Sequence, residues 1–168
     1  MAALTPGLSS LVDDICESIA ILLESLHEKP ALILLYSGID ILGALDTDDG
    51  LARQESFVRW ADVFMKPLDQ LGCSGLELYS ARCGLLHALS PLARLTKAGK
   101  AREFAYVTYP PFSPDQNVAG DLFVVHLPML WVAFRDGAKR FIDDVGRDVA
   151  RTGRIERNLD NVYVTRTR

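Results

Sequence analysis

Apolar residues recur at three- and four-residue spacing through the first part of the chain, at Leu8, Leu11, Val12, Ile15, Ile19, Leu22, Leu23 and Leu26. That period predicts a one-sided helix of about five turns. Asp13, Asp14, Glu17 and Glu24 fall off the stripe, and Ser9 or Ser10 is placed to cap it. Pro30 suits the first position of a second helix reaching Leu45. In that helix Leu32, Ile33, Leu34, Leu35, Tyr36, Ile39, Ile41 and Leu42 leave almost no polar face. A helix apolar nearly all round is a central one.

A turn over 46–50 leads to a third helix, about Leu51 to Met65, with Phe57, Ala61, Phe64 and Met65 inward. After Gly72, Ser74 and Gly75 a fourth runs from Leu76 to Leu89, closed by Ser90-Pro91. The segments 104–109 and 122–127 are short, β-branched and aromatic, and a proline-rich stretch separates them. They predict a two-stranded ribbon with a long connection. Pro128 opens a last helix with Phe134, Ala138, Phe141, Ile142, Val145 and Val149 on its stripe. Gly153 and an arginine-rich tail follow, with Val162-Tyr163-Val164 as a further short strand. The fold class is therefore mainly α: a bundle of four to five helices with a small two-stranded β ribbon. One domain is expected over 1–168, with core helices at about 8–89, ribbon and last helix at about 103–150, and a basic tail at 151–168.

Composition narrows the functional classes. The 168 residues suffice for one buried core, and their apolar content excludes a disordered chain. Met1 to Asp14 lacks the basic segment and apolar run of a signal peptide. The longest apolar run, 31–36, falls far short of the ~18 residues of a membrane span. Cys16, Cys73 and Cys83 have neither disulfide parity nor C-x-x-C spacing, which predicts a cytoplasmic setting without a zinc site. The 46–50 turn is a poor calcium loop, since its glycine falls one place early and Phe57 holds the twelfth position. Gly99-Lys100 is no nucleotide loop, with Ala101 where a hydroxyl and Arg94 where a glycine is needed. No cofactor or metal is expected.

Charge is unevenly distributed around a net −4. Nine acids face one base, Lys29, in the first fifty residues, whereas 147–168 holds six arginines against three acids. Arg94, Lys97 and Lys100, and Arg151 and Arg154 beyond them, are thus candidate phosphate contacts. A merely solvated tail is the alternative.

One stretch carries candidate chemistry: Ala81-Arg82-Cys83-Gly84-Leu85-Leu86-His87, inside the fourth helix. Arginine is a permanent cation whose planar fork suits phosphate, and histidine exchanges a proton near neutral pH. Five residues turn a helix by about 140°, so the pair diverges within one chain. A two-fold axis could bring two pairs into one cleft. RNA cleavage would use such a set, with histidine as base or acid and arginine stabilising the anionic transition state. Tyr36 and Asp40 lie one turn apart on the central helix, where an aspartate needs a cation or donors. The plainer alternatives are that Arg82 pairs with Glu77 or Asp40, and that His87 is a satisfied histidine at a helix end.

The Arg-x4-His arrangement on a late core helix, preceded by Tyr36-Ser37-Gly38-Ile39-Asp40 on an apolar helix, resembles the HEPN superfamily in a bacterial branch. The likeness covers about 8–89. It implies a helical, commonly dimeric fold and, for many members, metal-independent endoribonuclease activity in toxins or phage defence. Other members are non-catalytic RNA-binding or dimerisation modules. Carried over by position, Arg82 and His87 match the two motif residues, with Asp40, Tyr36 and Cys83 in support. A homodimer is implied, with RNA as substrate, an antitoxin or other protein as a further partner, and no membrane. Cys83 departs from the pattern, because the residue after the arginine is usually polar in active members.

Overall fold

A computed structural model describes residues 6–65, 71–88, 94–108 and 122–162, the side chains of Pro6, His87, Ala88, Asn161 and Val162 excepted. Among these residues the chain is mainly helical, with one small two-stranded sheet. Helix α1, Pro6–Glu24, buries Leu8, Val12, Ile15 and Ile19, the stripe read from its spacing. Its end is a Schellman turn: His27 N–H bonds Leu22 O at 2.8 Å and Leu26 N–H bonds Leu23 O at 3.1 Å. The left-handed position of that turn falls to Leu26, at φ 60° and 82% exposed. A branched side chain there is strained where glycine would not be. Leu26→Gly is therefore expected to raise the unfolding free energy by about 1 kcal/mol in urea titration.

Helix α2, Glu28–Leu45, starts two residues before Pro30. Its first intrahelical bond runs from Ala31 N–H to His27 O, so the proline sits in the opening turn where its missing donor costs nothing. The helix is central, with Leu32, Leu35, Tyr36, Ile39 and Leu42 all buried. Two glycines let neighbours close on it. A Cβ on Gly38 would lie 2.6 Å from Phe134, and one on Gly43 2.8 Å from Ser56 O.

Helix α3, Gln54–Phe64, is shorter than its pattern suggested. Its start is fixed by Ser56, whose hydroxyl accepts from Arg53 N–H and donates to Arg53 O. Trp60 from this helix meets Phe64, Phe134 and Phe141 in an aromatic cluster. Helix α4, Gly75–Ala88, opens on a reciprocal cap. Ser74 N–H donates to Glu77 at 2.9 Å, and Glu77 N–H donates to the Ser74 hydroxyl at 3.3 Å. The single-turn α5, Arg94–Lys97, packs on α4 through a Ser80–Thr96 hydroxyl contact of 3.0 Å.

Strands β1, Glu103–Val107, and β2, Leu122–His126, pair in parallel, with Glu103 opposite Leu122 and Val107 opposite His126. The residue pattern left that orientation open. Parallel strands need a crossover of a dozen or more residues, which 108–121 supplies. The sheet packs Phe104 and Phe123 together at 5.3 Å and ties to α2 through Thr108, which donates to Glu28.

Helix α6, Leu127–Val145, carries the Phe134, Ala138 and Phe141 stripe. It is not the last helix. Val149–Val162 forms α7, where a basic tail was expected. Asp148 begins it by accepting from Ala150 N–H and Arg151 N–H, and Ile155 and Leu159 bury its inner face. The helix runs through Gly153 because tertiary contacts outweigh the ~1 kcal/mol that glycine costs. Val162 lies in this helix and does not open a strand, and Tyr163 and Val164 lie outside the described residues.

Candidate functional site

Asp40 and Arg82 meet. The central helix carries Asp40 outward toward α4, where Arg82 Nε donates to Asp40 Oδ2 at 2.6 Å. Their side chains are 13% and 20% exposed, so the pair is shielded yet reaches the surface. Burial works against the guanidinium charge, but the Asp40 carboxylate outweighs it and holds the proton more firmly than usual. Of the two pairings foreseen for Arg82, the structure takes Asp40. Glu77 instead takes Arg102, whose guanidinium also covers the Phe123 ring at 4.0 Å. Burial alone would raise the Glu77 carboxyl; bonds from Arg102 and Ser74 bring it below the usual range.

Tyr79 belongs to the same group, although no feature of its sequence setting singled it out. It stands one turn before Arg82, and the guanidinium carbon lies 5.9 Å from its ring centroid. Burial first, and the Cys83 thiol one turn on second, push its phenol above the ordinary value. Tyr79 also meets Phe57 edge-on at 5.4 Å. The one signal that could have found it is its i, i+3 and i, i+4 spacing to Arg82 and Cys83.

Tyr36 and Asp40 share a side of α2 but serve different neighbours. Tyr36 is fully buried, and its hydroxyl lies 2.6 Å from that of Tyr106 on β1. Burial and the facing hydroxyl push Tyr36 well above its usual range, so it stays neutral. Its link to Arg82 runs through the rings of Phe57 and Tyr79, at 6.4 Å and then 5.4 Å. Two of the three cysteines are structural: burial pushes Cys16 up to about 11 and Cys73 up to about 12.

His87 is the penultimate residue of α4, and its side chain lies outside the described residues. Because α4 is continuous, the backbone position of His87 is turned about 140° from Arg82. Seven residues from Ser80 is close to two full turns, which puts the His87 position on the side of α4 facing α5. Arg94, Lys97 and Lys100 are exposed on α5 and the turn after it. Lys100 lines a cleft of about 560 Å³ with Glu77, Thr96, Arg102 and Glu103.

Arg151 and Arg154 are employed elsewhere. Arg151 grips Asp46 with two bonds, 2.7 and 2.9 Å, and Asp144 with a third at 2.6 Å. Arg154 reaches Asp46 and Asp48. Asn158 adds donors to Leu45 O and Thr47 O, so α7 clasps the connection after α2. Among the described residues no group of three or more His, Cys, Asp or Glu is placed to hold a metal ion. No helix among them is long and apolar enough to cross a membrane. In comparisons with known proteins the chain matches no family model, no curated protein and no solved structure.

Proposed function

We propose that the protein is a metal-independent endoribonuclease of HEPN type, in which two subunits share a site built from Arg82 and His87. The observation that carries this reading is the Asp40–Arg82 pair: a carboxylate from the most buried helix fixes an arginine that still reaches the surface. A fixed cation stabilises an anionic transition state better than a mobile one, because no reorganisation is needed as charge develops. Asp40 supports Arg82 directly, Tyr36 supports it through the aromatic rings between them, and the exposed Arg94, Lys97 and Lys100 offer phosphate contacts. The 140° divergence makes the second subunit necessary. As in many of the toxin and defence proteins that share this motif, a protein antitoxin would then be a partner.

The second reading is a non-catalytic RNA-binding or dimerisation module of the same kind. It is favoured by Cys83, which follows Arg82 where active members of the family usually carry a polar residue.

Mixing separates the readings. Arg82→Leu chains and His87→Ala chains should each fail to cut a labelled single-stranded RNA in EDTA. Unfolded and refolded together, they should recover about a quarter of wild-type cleavage, since half the dimers hold one intact Arg82–His87 pair of the two in the shared cleft. Cleavage by neither the mixture nor the wild type leaves the binding module. Wild-type cleavage without recovery in the mixture puts each site within one subunit and defeats the shared geometry.

A further inference from the structure

Among the described residues, two groups from different elements meet the Arg82 guanidinium. Asp40 accepts from Nε at 2.6 Å, and the Tyr79 ring lies 5.9 Å from its central carbon. The Tyr79 ring is itself set edge-on against Phe57, which is fully buried. Asp40 acts on one edge of the guanidinium, at Nε. An aromatic face beside the plane restricts its rotation, because the cation is attracted to the ring and stacks on it.

We infer that Tyr79 is a positioning residue of the Arg82 site, its ring setting the plane of the guanidinium while Asp40 sets its direction. This inference rests on the nuclease reading and extends it. Tyr79 itself transfers no proton and is not a catalytic residue.

The test compares Tyr79→Leu, Tyr79→Met and Tyr79→Phe in the full-length protein, each checked for an unchanged circular dichroism spectrum. The probe is a fluorescein-labelled single-stranded RNA of mixed sequence, in EDTA. Loss of the ring should lower kcat roughly 30- to 100-fold, the scale of a misplaced catalytic group, and change KM far less. Tyr79→Phe keeps the ring and should cleave close to wild type. A purely structural role for Tyr79 would shift the melting temperature without that split. Folded Tyr79→Leu and Tyr79→Met proteins that cleave like wild type overturn the inference. Should the wild type not cleave at all, the nuclease reading fails, and binding of the same RNA decides about Tyr79. Weakening by Tyr79→Leu that adds nothing to Arg82→Leu supports the positioning role, and unchanged binding overturns it.

Discussion

His87→Ala is expected to lower RNA cleavage roughly 10²- to 10⁴-fold in EDTA, the span usually carried by one general acid or base. Arg82→Leu should cost about 10²- to 10³-fold by loss of transition-state charge stabilisation. That variant also takes the cation away from Asp40, a carboxylate only 13% exposed, and therefore destabilises the fold. Arg82→Leu with Asp40→Leu replaces the pair by apolar groups and isolates the kinetic loss from the structural one. Equal cleavage by wild type and His87→Ala would assign the activity to another site or another protein.

The largest effect on stability is expected at a distance from that site. Arg151→Ala should lower the unfolding free energy by about 3 kcal/mol, read as a shift of the urea midpoint at unchanged slope. The magnitude comes mainly from Asp46, 11% exposed, which loses two short charge-assisted bonds. Arg59 and Arg154 remain near it, at 3.6 and 3.3 Å, and cannot reproduce the bidentate geometry. The bond to Asp144 adds less, because that carboxylate is 46% exposed. Arg151→Lys keeps the charge without the fork and should fall between the two. Arg53→Ala, whose partner Asp49 is open to water, is the control and should leave the midpoint almost unmoved. A midpoint equally unmoved in Arg151→Ala would mean that α7 is not the clasp its contacts describe.

Legibility in the sequence followed the strength of the apolar period. The stripe of α1 and the all-round apolar α2 were plain, because many residues repeat the same phase. Helix α7 was not, since among the described side chains its buried face holds Ile155 and Leu159 as its only apolar residues, with Thr152 and Asn158 beside them. Charge obscured the pattern there. The arginines suggested a solvated tail, while Asp148 as a cap and the 152, 155, 159 spacing were the signals of a helix. Parallel pairing of β1 and β2 was illegible because five-residue strands of this composition pair either way.

The site divides similarly. Asp40 announced its need for a cation by standing in an apolar helix, and Arg82 was one of few candidates. Tyr36 shared its face, but a side chain's direction is set by what packs around it, and its hydroxyl went to the sheet. Tyr79 escaped notice because an aromatic residue in a core helix reads as filling. Only the contact with Arg82 gives it a second reading.

The clasp between α7 and the end of α2 has a consequence for how the chain matures. Arg151 and Asp46 are 105 positions apart, whereas α1, α2 and α3 pack with their immediate neighbours in sequence. During synthesis at about 5–20 residues per second, the first three helices leave the ribosome several seconds before α7. For that interval Asp46 lacks Arg151, and until α6 emerges the aromatic cluster around Trp60 lacks Phe134 and Phe141. The growing chain thus presents an unfinished apolar surface until α6 and α7 arrive. Arg151 closes a structure whose centre is already in place.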